Sequence, residues 1–270
     1  MPSESKNRNK RKLIALYTIL VLTIGLMAFF AIALVFNAQT ARQAQAFYSA
    51  LAIDFIPRPN AQIQPVTTGL LSEHENPHTP EYFVSFVDFD ALRKDLPNLV
   101  GWIQSEGTPI NYPIVRGTDN DFYLYHFPNG QRNPMGSIFM DYRNSANFTD
   151  VVTKIYGHNT ASGHMFGTLS RYSSQEFFQQ HSSMFIFTPY RNYKLLLFAG
   201  YVVDSAFEIP PMNFPNEDYF YAFIYDIRNR SVFLSDFNVQ YGDRLVLLCT
   251  CTTLDATTER LIIAGKLAEM

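Results

Sequence analysis

Hydrophobic and polar positions are distributed unevenly along this chain, and their pattern changes character from one end to the other. Residues 13–36, LIALYTILVLTIGLMAFFAIALVF, are 24 consecutive positions without a charge. As a helix rising 1.5 Å per residue, that run reaches roughly 36 Å, enough to cross a bilayer core of about 30 Å. From 37 to about 56 the sequence turns polar and rich in Ala and Gln, which predicts a helix continuing out of the apolar segment. Residues 57–80 are proline-rich and hold no sustained period, the mark of a linker. A folded region of 81–270 follows.

Within that region the period-two pattern dominates. Short β-rich runs over 100–104, 110–115, 137–140, 151–156, 184–188, 193–203, 244–250 and 260–267 alternate with turn residues, which predicts a closed barrel or a sandwich. Helical periods interrupt them. Asp88 can cap a short helix that ends at Leu96 before Pro97. Ser173 and Glu176 have capping-box spacing ahead of Phe177 and Phe178. Phe220, Phe223, Ile224 and Ile227 recur at i, i+3, i+4 and i+7, predicting an amphipathic helix over Glu217–Asn229 that lies on the barrel. The fold class is α+β, mainly β.

Charge adds an orientation. Lys6, Arg8, Lys10, Arg11 and Lys12 precede the apolar run, and Arg42 is the only basic residue for some distance after it. The positive-inside rule places residues 1–12 in the cytoplasm and the C-terminal bulk outside, with 13–36 as a single-pass anchor in the cell membrane. A cleaved signal peptide is the alternative, and Ala44-Gln45-Ala46 supplies a small-residue site. The apolar run is about twice the length of a signal h-region, which favours the anchor. Beyond residue 12, acidic residues outnumber basic ones 23 to 16. This argues against nucleic acid as a partner, since phosphate binding needs a basic patch.

The only cysteines are Cys249 and Cys251. Two residues apart, they close no useful loop, so a disulfide framework is excluded, and a thiol without a distant partner is a candidate nucleophile. Cys251 ends an apolar strand, where a rigid backbone can present a thiol at the exposed rim. Burial as small apolar fillers is the competing reading for both residues. Cys249 shares a strand face with Cys251 and, lying deeper, fits the floor of a groove.

A thiol needs a partner that lowers its pKa or carries its proton. Of the six histidines, His158 alone directly follows an apolar strand, in Tyr156-Gly157-His158-Asn159. Arg260 opens the last predicted strand, nine residues after Cys251, where a short loop brings its guanidinium beside the thiol. Five fixed donors with permanent charge suit an oxyanion, whereas a surface pairing with Glu259 or Asp255 is the plainer alternative.

Together these residues resemble the sortases of Gram-positive bacteria, and class B most closely. The sortase T-L-x-T-C strand reads Leu247-Leu248-Cys249-Thr250-Cys251 here, departing at its first position. The class B likeness rests on Val100-Gly-Trp-Ile, Ile110-Asn-Tyr-Pro-Ile-Val, Gly136-Ser-Ile-Phe-Met-Asp-Tyr-Arg-Asn, Ile155-Tyr-Gly-His-Asn and Met165-Phe-Gly, in family order across roughly 85–267.

The resemblance implies an eight-stranded sortase barrel with peripheral helices. It implies a cysteine transpeptidase in which Cys251 attacks the threonine carbonyl of a C-terminal sorting signal, His158 is the general acid and Arg260 stabilises the oxyanion. Asn120, Leu124, Tyr156 and Cys249 match substrate-groove positions, Cys249 standing where serine is commoner. The implied partners are exported proteins with an N-P-x-T-N/G-like signal, and an amine of cell-wall precursor or of a pilin subunit. No cofactor is expected, and no metal, because no acidic cluster has calcium-loop spacing. A hydrolytic cysteine peptidase and a non-catalytic anchored binding module are the rival readings.

Overall fold

The computed structural model describes residues 3–55, 87–160, 162–204, 213–251 and 259–270. The linker over 57–80 and the start of the folded region at Glu81 lie outside them. Two compact units divide the chain, Met1–Phe47 and Tyr48–Met270.

The first unit is helical. Helix α1 runs unbroken over Ser3–Phe55 and contains the apolar run, whose large side chains are almost all exposed. A helix this long and apolar can cross a membrane. Unbroken helix is what the sequence allows, because no proline falls between residues 3 and 55.

The second unit is a closed barrel of eight strands: β1 Leu99–Gln104, β2 Asn111–Arg116, β3 Ile138–Met140, β4 Val152–His158, β5 Ser183–Phe187, β6 Asn192–Asp204, β7 Leu245–Cys251 and β8 Glu259–Glu269. The order around it is β1-β2-β3-β4-β7-β8-β6-β5, and β5 pairs back onto β1. Closure leaves no sheet edge unpaired.

Most neighbours are antiparallel, but β2 and β3 run parallel, and so do β4 and β7, the latter from Val152 opposite Leu245 to His158 opposite Cys251. Parallel neighbours need a long crossover, and the chain supplies one through β5, β6 and the helices between. Both strands are buried on both faces, which explains why they read as near-continuous apolar runs. Ile155, Leu248 and Ile263 point into the barrel. Tyr156, Leu247, Cys249 and Ile262 point outward into a second core layer.

Helix α4, Glu217–Asn229, covers that outer layer with Phe220, Ile224 and Ile227. Asn216 caps it by accepting from Tyr219 N–H, and Glu217, Asp218 and Arg228 complement its dipole. Helix α2 is shorter than the sequence suggests, spanning only Phe89–Leu92. Its Asp88 cap is present, accepting from Ala91 N–H at 2.9 Å. Helix α3, Gln175–Gln180, is capped by Ser174 rather than Ser173. Ser173 belongs to the preceding 3-10 segment, where its hydroxyl bonds Ser170 O, so the neighbouring serine takes the cap.

Candidate active site

Parallel pairing sets the carboxy ends of β4 and β7 at one rim. His158 closes β4 as its last strand residue instead of following the strand in a loop, and its backbone is paired with that of Cys251, the last residue of β7. The Cys251 side chain lies outside the described residues. On the other side of β7, strand β8 runs antiparallel with Cys249 opposite Ile262. Continuing that register by two residues sets Arg260 opposite Cys251. Thr250 ties the two strand ends together here: its hydroxyl bonds Leu261 O at 3.2 Å and accepts from Leu261 N–H at 3.0 Å.

A short 3-10 turn, Phe122–Leu124, forms the facing wall. The Asp119 carboxylate opens it by accepting from the N–H groups of Asp121 and Phe122. Gly136, at φ +59°, lets β3 enter directly beneath this turn, since a Cβ there would lie 2.5 Å from Leu124 O. Between wall and strand ends is a cleft of about 260 Å³. Asn120, Leu124, Tyr156, His158 and Arg260 all line it, so five residues singled out in the sequence meet in one place. Cys249 does not line it. That thiol is fully buried in the layer under α4, its backbone paired with that of Tyr156.

His158 Nε2 lies 2.6 Å from Leu124 O. A carbonyl can only accept, so Nε2 carries the proton and a neutral ring keeps Nδ1 as its base nitrogen. Burial lowers the imidazole pKa below its ordinary value, and the Leu124 bond opposes this only in part. The ring is therefore neutral near pH 7. Arg260 presents a different feature: its Nε is buried and has no hydrogen-bond partner among the described residues. Buried donors are nearly always paired in a finished structure, so this one suits a ligand group.

Three residues that the sequence reading missed also line the cleft: Asp121, Tyr125 and Phe139. Asp121 and Tyr125 flank positions already singled out, so proximity in sequence to Asn120 and Leu124 was the available signal. Phe139 sits in the Gly136–Asn144 block and packs on Tyr156 at 5.3 Å between ring centroids.

No protein-family model matches the chain. The chain is 36% identical over 181 residues to Sortase B of Listeria monocytogenes, covering 67% of this chain and 72% of the relative. The chain belongs to the class B sortases. Its fold agrees with the structure of a Staphylococcus aureus sortase B–substrate complex at TM-score 0.65 and 32% identity, covering 67% of this chain and 85% of that one. A crystal structure of sortase B complexed with triglycine matches at TM-score 0.64 and 32% identity, covering 67% and 86%. This sortase is accordingly a cysteine transpeptidase, and the rim shared by β4, β7 and β8 is where the candidate residues His158 and Arg260 meet.

Proposed function

We propose that this sortase is anchored by residues 13–36 with residues 37–270 outside the cell. There it cleaves an N-P-x-T-N/G-like C-terminal sorting signal after threonine and passes the acyl group to an amine. The observation that carries the reading is the meeting of His158, Arg260, Asn120, Leu124 and Tyr156 around one cleft, at the strand end that Cys251 closes. The substrate and triglycine complexes of its relatives support the two classes of reactant, a sorting-signal peptide and an amine-bearing acceptor.

The steps follow from the groups present. Neutral His158 takes the Cys251 thiol proton, and the thiolate attacks the threonine carbonyl carbon. As the C–S bond forms, the carbonyl oxygen becomes an oxyanion, and the Arg260 Nε–H, without a partner among the described residues, is a donor available to it. The tetrahedral intermediate collapses, the C–N bond breaks, and the imidazolium gives its proton to the leaving amine. The acceptor amine then attacks the thioester, loses a proton to His158, and the thiolate departs and is reprotonated. The acceptor is an amine of cell-wall precursor or of a pilin subunit.

The test uses the full-length enzyme in detergent with an N-P-x-T-N peptide, with and without triglycine. Cleavage after threonine, with an amide-linked triglycine product, is expected. A clear preference for an L-P-x-T-G peptide overturns the class B specificity, and free acid as the sole product whatever the amine overturns transfer.

A further inference from the structure

Two residues of the cleft wall are held from behind by a single turn. Asp141 follows β3, and its carboxylate is fully buried. Its Oδ1 accepts from Arg143 N–H at 3.0 Å and from Arg143 Nε at 2.9 Å. Its Oδ2 accepts from an Arg143 terminal nitrogen at 2.8 Å and from the Tyr156 hydroxyl at 2.9 Å. Next along the chain, Tyr142 N–H donates to Asn120 Oδ1 at 3.1 Å, and Tyr142 O accepts from Arg116 at 3.1 and 3.3 Å. Asn144 then pins the turn to β4, donating to Val152 O and accepting from Lys154 N–H, each at 2.8 Å.

These bonds decide which polar groups remain for a peptide. Burial alone would raise the Asp141 pKa, but the bonds from Arg143 and Tyr156 outweigh it and hold the carboxyl at about 2. Ionised near neutral pH, it accepts from the Tyr156 hydroxyl, so the phenol offers the cleft its ring and no donor. Asn120 has its oxygen engaged by Tyr142 N–H, and its NH₂ group has no partner among the described residues, a donor that fits a carbonyl oxygen. We propose that the 141–143 turn is the specificity-setting support of this cleft: Asp141, clamped by Arg143, positions Tyr156, and Tyr142 N–H orients Asn120 to donate to a carbonyl of the bound peptide. Asp141 and Arg143 touch no substrate themselves and are positioning residues.

This inference rests on the transpeptidase reading of the cleft. Its test is a double-mutant cycle in the full-length enzyme on the N-P-x-T-N peptide: Asp141→Asn, Tyr156→Phe and the pair, with Arg143→Gln as the variant least exposed to misfolding. Each single change should raise KM about tenfold, the size of one charge-assisted hydrogen bond, with the loss falling on KM rather than kcat. The pair should be no worse than either alone, because both remove the same bond. A merely structural role shrinks the folded fraction, which lowers apparent kcat, lowers the melting temperature and leaves KM unmoved. KM values within about threefold of wild type, or fully additive effects, overturn the inference. Wild type that fails to cleave the peptide at all overturns the proposed function, and the inference goes with it.

Discussion

At Arg260 the buried Nε, unpartnered among the described residues, favours one of two roles that the sequence leaves open. Arg260→Lys keeps the charge and loses the planar fork. Removal of an oxyanion donor costs about 2.7–4 kcal/mol, or roughly 10²–10³ in kcat, whereas loss of an exposed ion pair costs about 0–1 kcal/mol. Steady-state kinetics should show the larger figure, and a value within about threefold of wild type takes Arg260 out of the chemistry. For His158 the direction of the pKa fixes the pH profile. Protonation removes the base nitrogen, and burial makes protonation harder, so activity should survive until the pH falls below the ordinary histidine value near 6.5. The acid limb of kcat/KM reports this in the free enzyme, and a limb at or above 6.5 contradicts it. Of the two thiols, Cys251→Ala should abolish a trapped thioacyl adduct seen by mass spectrometry. Cys249→Ser should retain it, since that side chain is buried away from the cleft. What could be read in advance at this scale was residue type at a strand end. The Asp141 clamp was not legible, because its partners Arg143 and Tyr156 meet only after β3 and β4 pair.

Gly157 shows how much the elements constrain the site between them. It sits between Tyr156 and His158, and a Cβ there would lie 2.5 Å from Ile138 Cδ1 and 2.8 Å from the Phe166 ring. Gly157→Ala should therefore cost about 1–3 kcal/mol through overpacking. It should also lower turnover, because the strand can relieve the clash only by moving both neighbours. Thermal unfolding and kcat measured together test this, and a full-rate enzyme with an ordinary melting temperature sinks the argument. Alternation in the sequence located all eight strands within a few residues, and the Phe220, Ile224, Ile227 stripe located α4. It could not reveal that β4 and β7 are parallel neighbours, since they lie some ninety positions apart with two strands between them. Nor could it show that β4 continues through His158, because glycine and histidine do not advertise a strand. The placement of the histidine backbone beside that of Cys251 depends on both facts.

Across the whole chain, α1 covers 53 residues, about 80 Å at 1.5 Å per residue, well beyond a bilayer core of about 30 Å. Residues 13–36 are its predominantly apolar stretch, so the bilayer should take that stretch and leave the rest of the helix outside the hydrocarbon core. The proposed direction of crossing rests on the flanks: five basic residues within 6–12, against Arg42 alone for some distance beyond the run. The proposed transfer of exported proteins to amines outside the cell requires the same orientation, so the test of topology bears on both proposals. Protease added to intact cells should then remove the folded region and leave a short membrane-held fragment. An epitope placed at the N-terminus should stay protected until the cells are permeabilised. A folded region that resists added protease in intact cells but is degraded after permeabilisation reverses the topology. Release of an active 47–270 fragment into the medium without any added protease shows instead that the apolar run is removed as a signal peptide.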